Sequence, residues 1–348
     1  MRPPAGLAQR YLDEGTALRE ALDMPRRARI EAIPIGQGEH NANFRFVHPV
    51  TKKAYVLRIN FASQMGLADQ IGYEAHALGL LAPSGRVPHV FHVDSEPGID
   101  GHGVLAMEFC QGRHLDFLRP GDVACAARML ADIHAVDPSG DQVLARPEDP
   151  LRAQLEECRR LFAGYRNTPF ESVQVASFVE RFFERAEHVA IAAGSPGGSG
   201  HVLNTEAVSD HFLIPEDAPD DGHMVDWEKP VVGEVAQDVA YFLAPTTTIW
   251  STDFVFTAEE RDAFVHTYWQ AVGGRFARGD FEARYAAYLM SNCLRGVTWS
   301  CNAWVEYHDP ARPLKNPKTF EKLKVYLSET FLAYLEREIF PAEGPRLA

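Results

Sequence analysis

The chain has 348 residues, of which 46% are hydrophobic and 24% are charged, and its formal net charge is −14. This length and composition predict an ordered globular protein with a large core, divided into two lobes rather than one. The negative charge argues against nucleic acid or an anionic membrane as a partner and leaves room for a cationic small molecule.

The five cysteines are scattered along the chain and show no C-x-x-C spacing. This pattern predicts reduced thiols rather than a disulfide framework or a zinc site. The N-terminal region lacks the apolar core of a signal peptide, and no apolar run approaches the roughly 18 residues of a membrane span. We therefore expect a cytoplasmic protein.

The N-terminal elements begin with an amphipathic helix, predicted from the apolar spacing over residues 7–23. The strand that follows is interrupted by Gly36 and Gly38 and resumes at Phe44. Such a glycine-relaxed hairpin can direct its backbone N–H groups at phosphates. An ordinary β-turn gives the same Gly-x-Gly pattern and stays open as the alternative.

One cation, Arg58, lies within the otherwise apolar strand Tyr55 to Ile59. Burying an unpaired cation is unfavourable, so an anionic partner is expected. Glu74, on the helix predicted from Ala68 to Leu81, is the candidate. The guanidinium offers a fork suited to bidentate phosphate contact, although a structural surface ion pair is the alternative.

Further elements alternate between strands and helices. Val90 to Val93 and Val104 to Phe109 are predicted strands on either side of a turn. The helix predicted from Asp122 to Val136 carries His134 on its apolar side, where a histidine is more often a hydrogen-bonded core residue than a catalytic base. Helical spacing recurs in residues 151–193, 255–272, 281–304 and 320–339.

Two carboxylates, Glu206 and Asp226, flank a predicted hairpin of two short strands, Phe212 to Ile214 and Met224 to Val225. The hairpin brings both carboxylates to the same end of the ribbon. Phosphoryl transfer uses such a pair, one group to take the acceptor's proton and one to hold Mg²⁺. Two loop acids beside a solvated hairpin are the alternative explanation.

Over about residues 30–310, and most strongly in the segments Asp226-Trp227-Glu228 and Gly233 to Asp238, the chain resembles the aminoglycoside phosphotransferase and choline kinase family of small-molecule kinases. The family's catalytic loop reads H-G-D-x-x-x-x-N and is followed by D-W-E and G-D-P-x-x-D segments. The corresponding segments here are Asn204-Thr205-Glu206 with His211, then Asp226-Trp227-Glu228, then Gly233 to Asp238. The resemblance implies an α+β, protein-kinase-like fold, with an antiparallel-sheet N-lobe over residues 1–109 and a mainly helical C-lobe over residues 110–348.

The resemblance also implies roles for the residues of the catalytic loop and its neighbours. Glu206 takes the place of the base that accepts the hydroxyl proton, and Asp226 that of the Mg²⁺ ligand. His211 stands where the family has a second metal ligand, and an imidazole is softer than the usual carbonyl oxygen, so neighbouring Asp210 could supply an oxygen instead. Asp238 matches an aspartate that braces the catalytic loop.

For the nucleotide, ATP or GTP, the resemblance implies binding by residues of the first lobe. Its phosphates would contact Arg58, held by Glu74, and the hairpin with its two glycines. Its base would lie against the end of the last strand of that lobe. The residues implied in nucleotide binding are thus Gly36, Gly38, Arg58, Glu74, Glu108 and Cys110.

Two functions fit these residues. The first is a kinase that transfers the nucleotide γ-phosphate to a hydroxyl of a metabolite or an aminoglycoside-like acceptor, which could be cationic. The second is a pseudokinase, a nucleotide-binding or ligand-sensing protein without turnover, suggested by the changes at positions 204, 206 and 211. Aromatic residues of the C-terminal helices could hold a cationic or sugar-like acceptor, although core packing is the commoner role.

Overall fold

The computed structural model describes residues 4–38, 40–195, 200–310 and 316–340. Five strands in the first third of the chain form one antiparallel sheet in the order β1-β2-β3-β5-β4. They are β1 Ile33–Gln37, β2 Asn41–Val47, β3 Ala54–Asn60, β4 Val90–Ile99 and β5 His102–Glu108. The predicted α+β architecture, with an antiparallel sheet ahead of a mainly helical part, is confirmed.

The two faces of this sheet have different neighbours because successive side chains of a strand point to opposite sides. Leu57 packs in a core with residues of α1 Pro4–Glu14 and α2 Thr16–Ala21. Val56 packs with α3 Gln70–Leu81, in a core that continues into the C-terminal helices. Arg58 has the same parity as Val56 and therefore points towards α3.

Most of the remaining chain is helical. The longest helix, α10, has 28 residues and packs against α5, α6 and α7. In the described parts of the chain, no helix combines the length and apolar character needed to cross a bilayer. The helices are α4 Asp122–His134, α5 Pro150–Ala163, α6 Val173–Ala193, α7 Val235–Leu243, α8 Pro245–Ser251, α9 Ala258–Val272, α10 Phe281–His308, α11 Pro317–Tyr326 and α12 Glu329–Glu338.

Short strands position the loops that carry the predicted catalytic residues. They are β6 Arg113–His114, β7 His201–Leu203, β8 Phe212–Ile214, β9 His223–Met224 and β10 Val231–Gly233. The predicted hairpin is confirmed, because β8 pairs antiparallel with β9. Since β7 also pairs with β10, the loop after β7 and the loop after β9 lie side by side.

Three predicted helix boundaries were wrong. The N-terminal helix is broken at Gly15 into α1 and α2. The helix expected from residue 255 begins at Ala258, where Thr257 and Glu260 form a capping box. The helix expected over residues 320–339 is two helices, because Ser328 accepts the N–H of Phe331 at 3.2 Å and starts a new one. The division into lobes at residues 109 and 110 stays a prediction.

Candidate active site

A cavity of about 210 Å³ lies between the sheet and the loops around β8 and β9. Its lining includes Gly38, Asn43, Arg58, His211, Asp226 and Glu228. It is smaller than the roughly 300–1,000 Å³ typical of small-molecule pockets, so it can enclose a group of about the size of a phosphate. Cavities of about 620 and 540 Å³ lie among the helices, but none of the predicted site residues lines them.

Arg58 is the centre of an ion-pair network at this cavity. Its Nη1 lies 2.6 Å from Oε1 of Glu74, and its Nη2 lies 3.0 Å from Oδ1 of Asp226. Its Nε donates a hydrogen bond to Oδ1 of Asn43 at 2.9 Å. The predicted pairing of Arg58 with Glu74 is confirmed, and Arg58 also reaches Asp226, 168 residues further along the chain.

The charges of this network shift one another's pKa. Burial alone would lower the pKa of Arg58, but Glu74 and Asp226 offset this and hold it above its ordinary value. Burial raises the pKa of Glu74, against the effect of Arg58. Burial would also raise the pKa of Asp226, but Arg58 and His211 hold it well below the ordinary value. Asp226 is therefore a carboxylate at neutral pH, and its side chain is 33% exposed.

The residues around Asp226 fit one hard divalent cation better than two. Carboxylate oxygens are the ligands that Mg²⁺ prefers, and Asp226 and Glu228 both line the cavity. Oδ2 of Asp226 lies 3.3 Å from Nε2 of His211, while Asp210 is exposed. The ligand atoms of Asp210, His211 and Asp226 do not all lie within 4.8 Å of one another. Asp226, with Glu228 beside it, would hold the cation after turning away from Arg58.

The loop after β7, which carries Glu206, is braced by Asp238. The two carboxylate oxygens of Asp238 accept the backbone N–H groups of Asn204 at 2.7 Å and Thr205 at 2.9 Å. Asp238 is fully buried. Asn204 in turn donates from Nδ2 to the backbone oxygen of Asp226 at 3.0 Å, which joins the two loops. The bracing role predicted for Asp238 is confirmed.

Thr205 and Asp226 both adopt left-handed backbone conformations, with φ of 70° and 66°. Residues other than glycine rarely adopt this region, and such residues cluster at functional sites where the surroundings hold them in place. Here the surroundings are the hydrogen bonds of Asp238 and Asn204. The two loops that bear the candidate carboxylates are thus fixed relative to each other.

Glu206 does not line the cavity of Asp226. Its carboxylate forms an ion pair with Nζ of Lys229, and the two side chains are 32% and 20% exposed. The backbone oxygen of Lys229 accepts the hydroxyl of Thr205 at 3.1 Å, so the ion pair is tied to the braced loop. Lys229 was not predicted as a site residue, although it directly follows Asp226-Trp227-Glu228 in the sequence.

Neither glycine of the first hairpin is crowded by its neighbours, and of the two only Gly38 lines the cavity. A Cβ at Gly36 would meet nothing within 4 Å, and one at Gly38 would approach only the backbone oxygen of Asn41, at 4.0 Å. Packing within the protein therefore requires glycine at neither position. The N–H of Gly38 already donates to that oxygen at 2.9 Å, so it is not directed at the cavity.

Glu108 and Cys110 are separate from this network. Glu108 ends β5 and Cys110 is buried two residues later, and neither lines the cavity of Asp226. The N–H of Glu108 donates to the backbone oxygen of His89 at 2.8 Å. Both side chains instead approach His223 of β9. Their predicted contact with a nucleotide base stays a prediction.

His134 belongs to the core. It is fully buried, its Nδ1 lies 2.9 Å from Oη of Tyr268, and its Nε2 lies 3.5 Å from Oδ2 of Asp238. Both ring nitrogens therefore have protein partners. The structural role preferred for His134 in the sequence analysis is confirmed.

Two asparagines of β2 were missed. Asn43 lies opposite Arg58 in the strand register and accepts its Nε–H. Asn41, two residues earlier on the same face, donates from Nδ2 to Oε2 of Glu228. The signal in the sequence was the alternation of Asn41 and Asn43 on the strand before that of Arg58.

Solved structures share this fold at low sequence identity. A candidate aminoglycoside phosphotransferase from Ralstonia eutropha JMP134 is 17% identical with a TM-score of 0.64, and the match covers 92% of this chain and 98% of that one. Spectinomycin phosphotransferase APH(9)-Ia, in complex with ADP and spectinomycin, is 13% identical with a TM-score of 0.59, covering 87% and 89%. Plasmodium vivax ethanolamine kinase is 13% identical with a TM-score of 0.59, covering 93% and 89%.

These likenesses show the expected protein-kinase-like fold. No curated protein sequence gives a significant match. The family model described as the phosphotransferase enzyme family matches residues 31–288, from before β1 into α10. That span is most of the chain and contains Arg58, Asp226 and Asp238, so the chain belongs to the phosphotransferase enzyme family.

Proposed function

We propose that this protein transfers the terminal phosphoryl group of ATP or GTP to a hydroxyl group of a small-molecule acceptor. The observation that carries the proposal is the contact of Arg58 with both Glu74 and Asp226 at one cavity. A fixed guanidinium and a carboxylate at one site are what phosphates and their metal ion require. Among the similar structures, spectinomycin phosphotransferase is bound to ADP and spectinomycin, and APH(4)-Ia to AMP-PNP and hygromycin B.

Arg58 would bind the phosphates of the nucleotide. Glu74 keeps the guanidinium in place, while the Nη2 that now contacts Asp226 turns to a phosphate oxygen. The carboxylate of Asp226 is then free to hold Mg²⁺. The bound ion would neutralise part of the phosphate charge and favour attack at phosphorus.

Glu206 would accept the proton of the acceptor's hydroxyl group. The new bond joins the acceptor oxygen to the terminal phosphorus, and the bond from that phosphorus to the bridging oxygen of the leaving diphosphate breaks. Lys229, paired with Glu206, would fix the direction of its carboxylate. The net charge of −14 favours an acceptor that carries a positive charge.

A cytoplasmic location is part of the same proposal. All five cysteines are free and buried. Free thiols are typical of reducing compartments, where nucleoside triphosphates are also available.

The test is turnover of Mg–ATP and Mg–GTP with a panel of amino alcohols and aminocyclitols, followed by mass spectrometry of the phosphorylated product. In Glu206→Gln we expect kcat to fall by about 10²–10⁴, the usual contribution of a general base. Glu184→Gln, on the exposed side of α6, is the matched control and should leave kcat unchanged. Full activity in Glu206→Gln would remove Glu206 as the base.

The alternative of a pseudokinase predicts a different outcome of the same assay. The comparisons do not support that alternative. Nucleotide binding by the wild-type protein without phosphorylation of any acceptor in the panel would contradict the proposed function.

A further inference from the structure

Three potential metal ligands from two distant parts of the chain meet at the end of β5. A carboxylate oxygen of Glu108, Sγ of Cys110 and a ring nitrogen of His223 all lie within 4.8 Å of one another. Over the described ranges of the chain, no other set of three His, Cys, Asp or Glu side chains meets this condition. Met224, next to His223, donates its N–H to the backbone oxygen of Arg86 at 2.7 Å, and Glu108 donates its N–H to that of His89 at 2.8 Å, so β9 and the end of β5 are both held by residues 86–89.

One ring nitrogen of His223 lacks a hydrogen-bond partner in the described part of the chain. Nδ1 of His223 is buried and has no hydrogen-bond partner among the described residues. Leaving a buried polar atom unsatisfied is unfavourable, and a bound metal ion would satisfy its lone pair. This observation is independent of the clustering and points to a ligand.

We propose that Glu108, Cys110 and His223 form a binding site for a divalent transition-metal ion such as Zn²⁺. A thiolate, an imidazole and a carboxylate are the usual ligands of Zn²⁺, whereas Mg²⁺ takes oxygen ligands. Three protein ligands leave the fourth tetrahedral position for water or another small ligand. The site is distinct from the cavity of Asp226, which none of the three residues lines.

Burial shifts the pKa of two of the three side chains. Burial lowers the pKa of His223, so its imidazole is neutral at physiological pH, as a metal ligand must be. Burial and the charge of Glu108 raise the pKa of Cys110 to about 12, so the thiol holds its proton until a metal ion displaces it.

The site has a consequence for nucleotide binding, and this consequence alone rests on the proposed function. Glu108 and Cys110 are the residues at which the nucleotide base is expected. A metal ion held there would occupy part of the same space. Zn²⁺ and nucleotide should then weaken each other's binding.

The test is titration of the full-length protein with Co²⁺ and with Zn²⁺, without nucleotide. Binding through Cys110 should produce a thiolate-to-Co²⁺ charge-transfer absorption in the wild type. Cys110→Ser should abolish this absorption, and His223→Ala and Glu108→Gln should each weaken Zn²⁺ binding by more than about tenfold. Cys125→Ala, a buried cysteine of α4, and His188→Ala, an exposed histidine of α6, are matched controls that should bind normally.

The outcomes distinguish the metal site from its competition with nucleotide. A wild-type protein without the charge-transfer absorption, or a Cys110→Ser variant that keeps it, overturns the metal site. Circular dichroism of each variant shows whether it folds, and the conservative serine keeps the size of the side chain. ATP affinity is then measured with and without Zn²⁺. Unchanged ATP affinity overturns the competition and leaves the site standing, while failure to bind ATP at all counts against the proposed function only.

Discussion

The ion pair of Arg58 and Glu74 predicts a strong energetic coupling between them. The Glu74 side chain is 1% exposed, and its Oε2 has no hydrogen-bond partner among the described residues. The buried negative charge of this carboxylate is therefore compensated through the contact of Oε1 with Arg58. Arg58→Met would leave this carboxylate buried without its cation and should destabilise the protein by about 3–5 kcal/mol. Glu74→Gln leaves Arg58 with Asp226 and Asn43 and should cost about 1.5–3 kcal/mol.

The double variant Arg58→Met/Glu74→Gln contains no uncompensated carboxylate at position 74. Its loss of unfolding free energy should therefore be smaller than the sum of the two single effects by about 2 kcal/mol. The measurement is urea unfolding at neutral pH by tryptophan fluorescence and circular dichroism, whose coincident transitions justify a single free energy. Arg152→Met with Glu156→Gln, an exposed pair on α5, is the control and should show coupling below about 0.5 kcal/mol. Additivity at positions 58 and 74 within that margin would refute the reasoning.

Three further predictions concern the loop after β7 and the loop after β9. Asp238→Asn places an amide donor against backbone donors, so the free energy of unfolding should fall by about 1–3 kcal/mol, and amide exchange at Asn204 should accelerate. Because the native pKa of Asp226 is lowered, its carboxylate stabilises the fold above its unfolded pKa of about 3.9. The difference in unfolding free energy between wild type and Asp226→Asn should therefore shrink as pH falls from that value towards the lowered native pKa. Lys229→Met should lower kcat by about tenfold or more through misdirection of Glu206, whereas Lys229→Arg should largely retain it.

The sequence could predict the features that depend on local pattern. A lone cation in an apolar strand requires a buried anionic partner, and Glu74 of the next helix was a candidate for it. Several strands of the sheet could also be predicted, because turns rich in glycine, proline and aspartate separate short alternating segments. Asp226 at the end of a hairpin strand was found for the same reason.

Features that depend on tertiary neighbours could not be predicted in this way. Spacing every four residues over 320–339 is equally compatible with one helix or two, and the break depends on how Ser328 caps α12. The ion pair of Glu206 with Lys229 requires two separate loops to lie side by side. Cysteine spacing gave no sign of a metal site at Cys110, because its neighbour His223 lies far along the chain and reaches it only through β9.

The contacts of Asp226 predict that nucleotide and metal ion bind cooperatively. In this structure one carboxylate oxygen of Asp226 faces the guanidinium of Arg58 and the other faces Nε2 of His211, so a metal ion arriving alone must compete with a guanidinium. A nucleotide arriving alone must place phosphates beside the carboxylate of Asp226. When both arrive, Arg58 exchanges the carboxylate for phosphate and Asp226 exchanges the guanidinium for the metal, so each charge keeps an opposite partner.

Calorimetry should therefore show tighter ADP binding with Mg²⁺ than without it, by an amount that Asp226→Asn reduces and Glu184→Gln does not. Equal enhancement by Mg²⁺ in Asp226→Asn would show that the ion is held by the nucleotide alone.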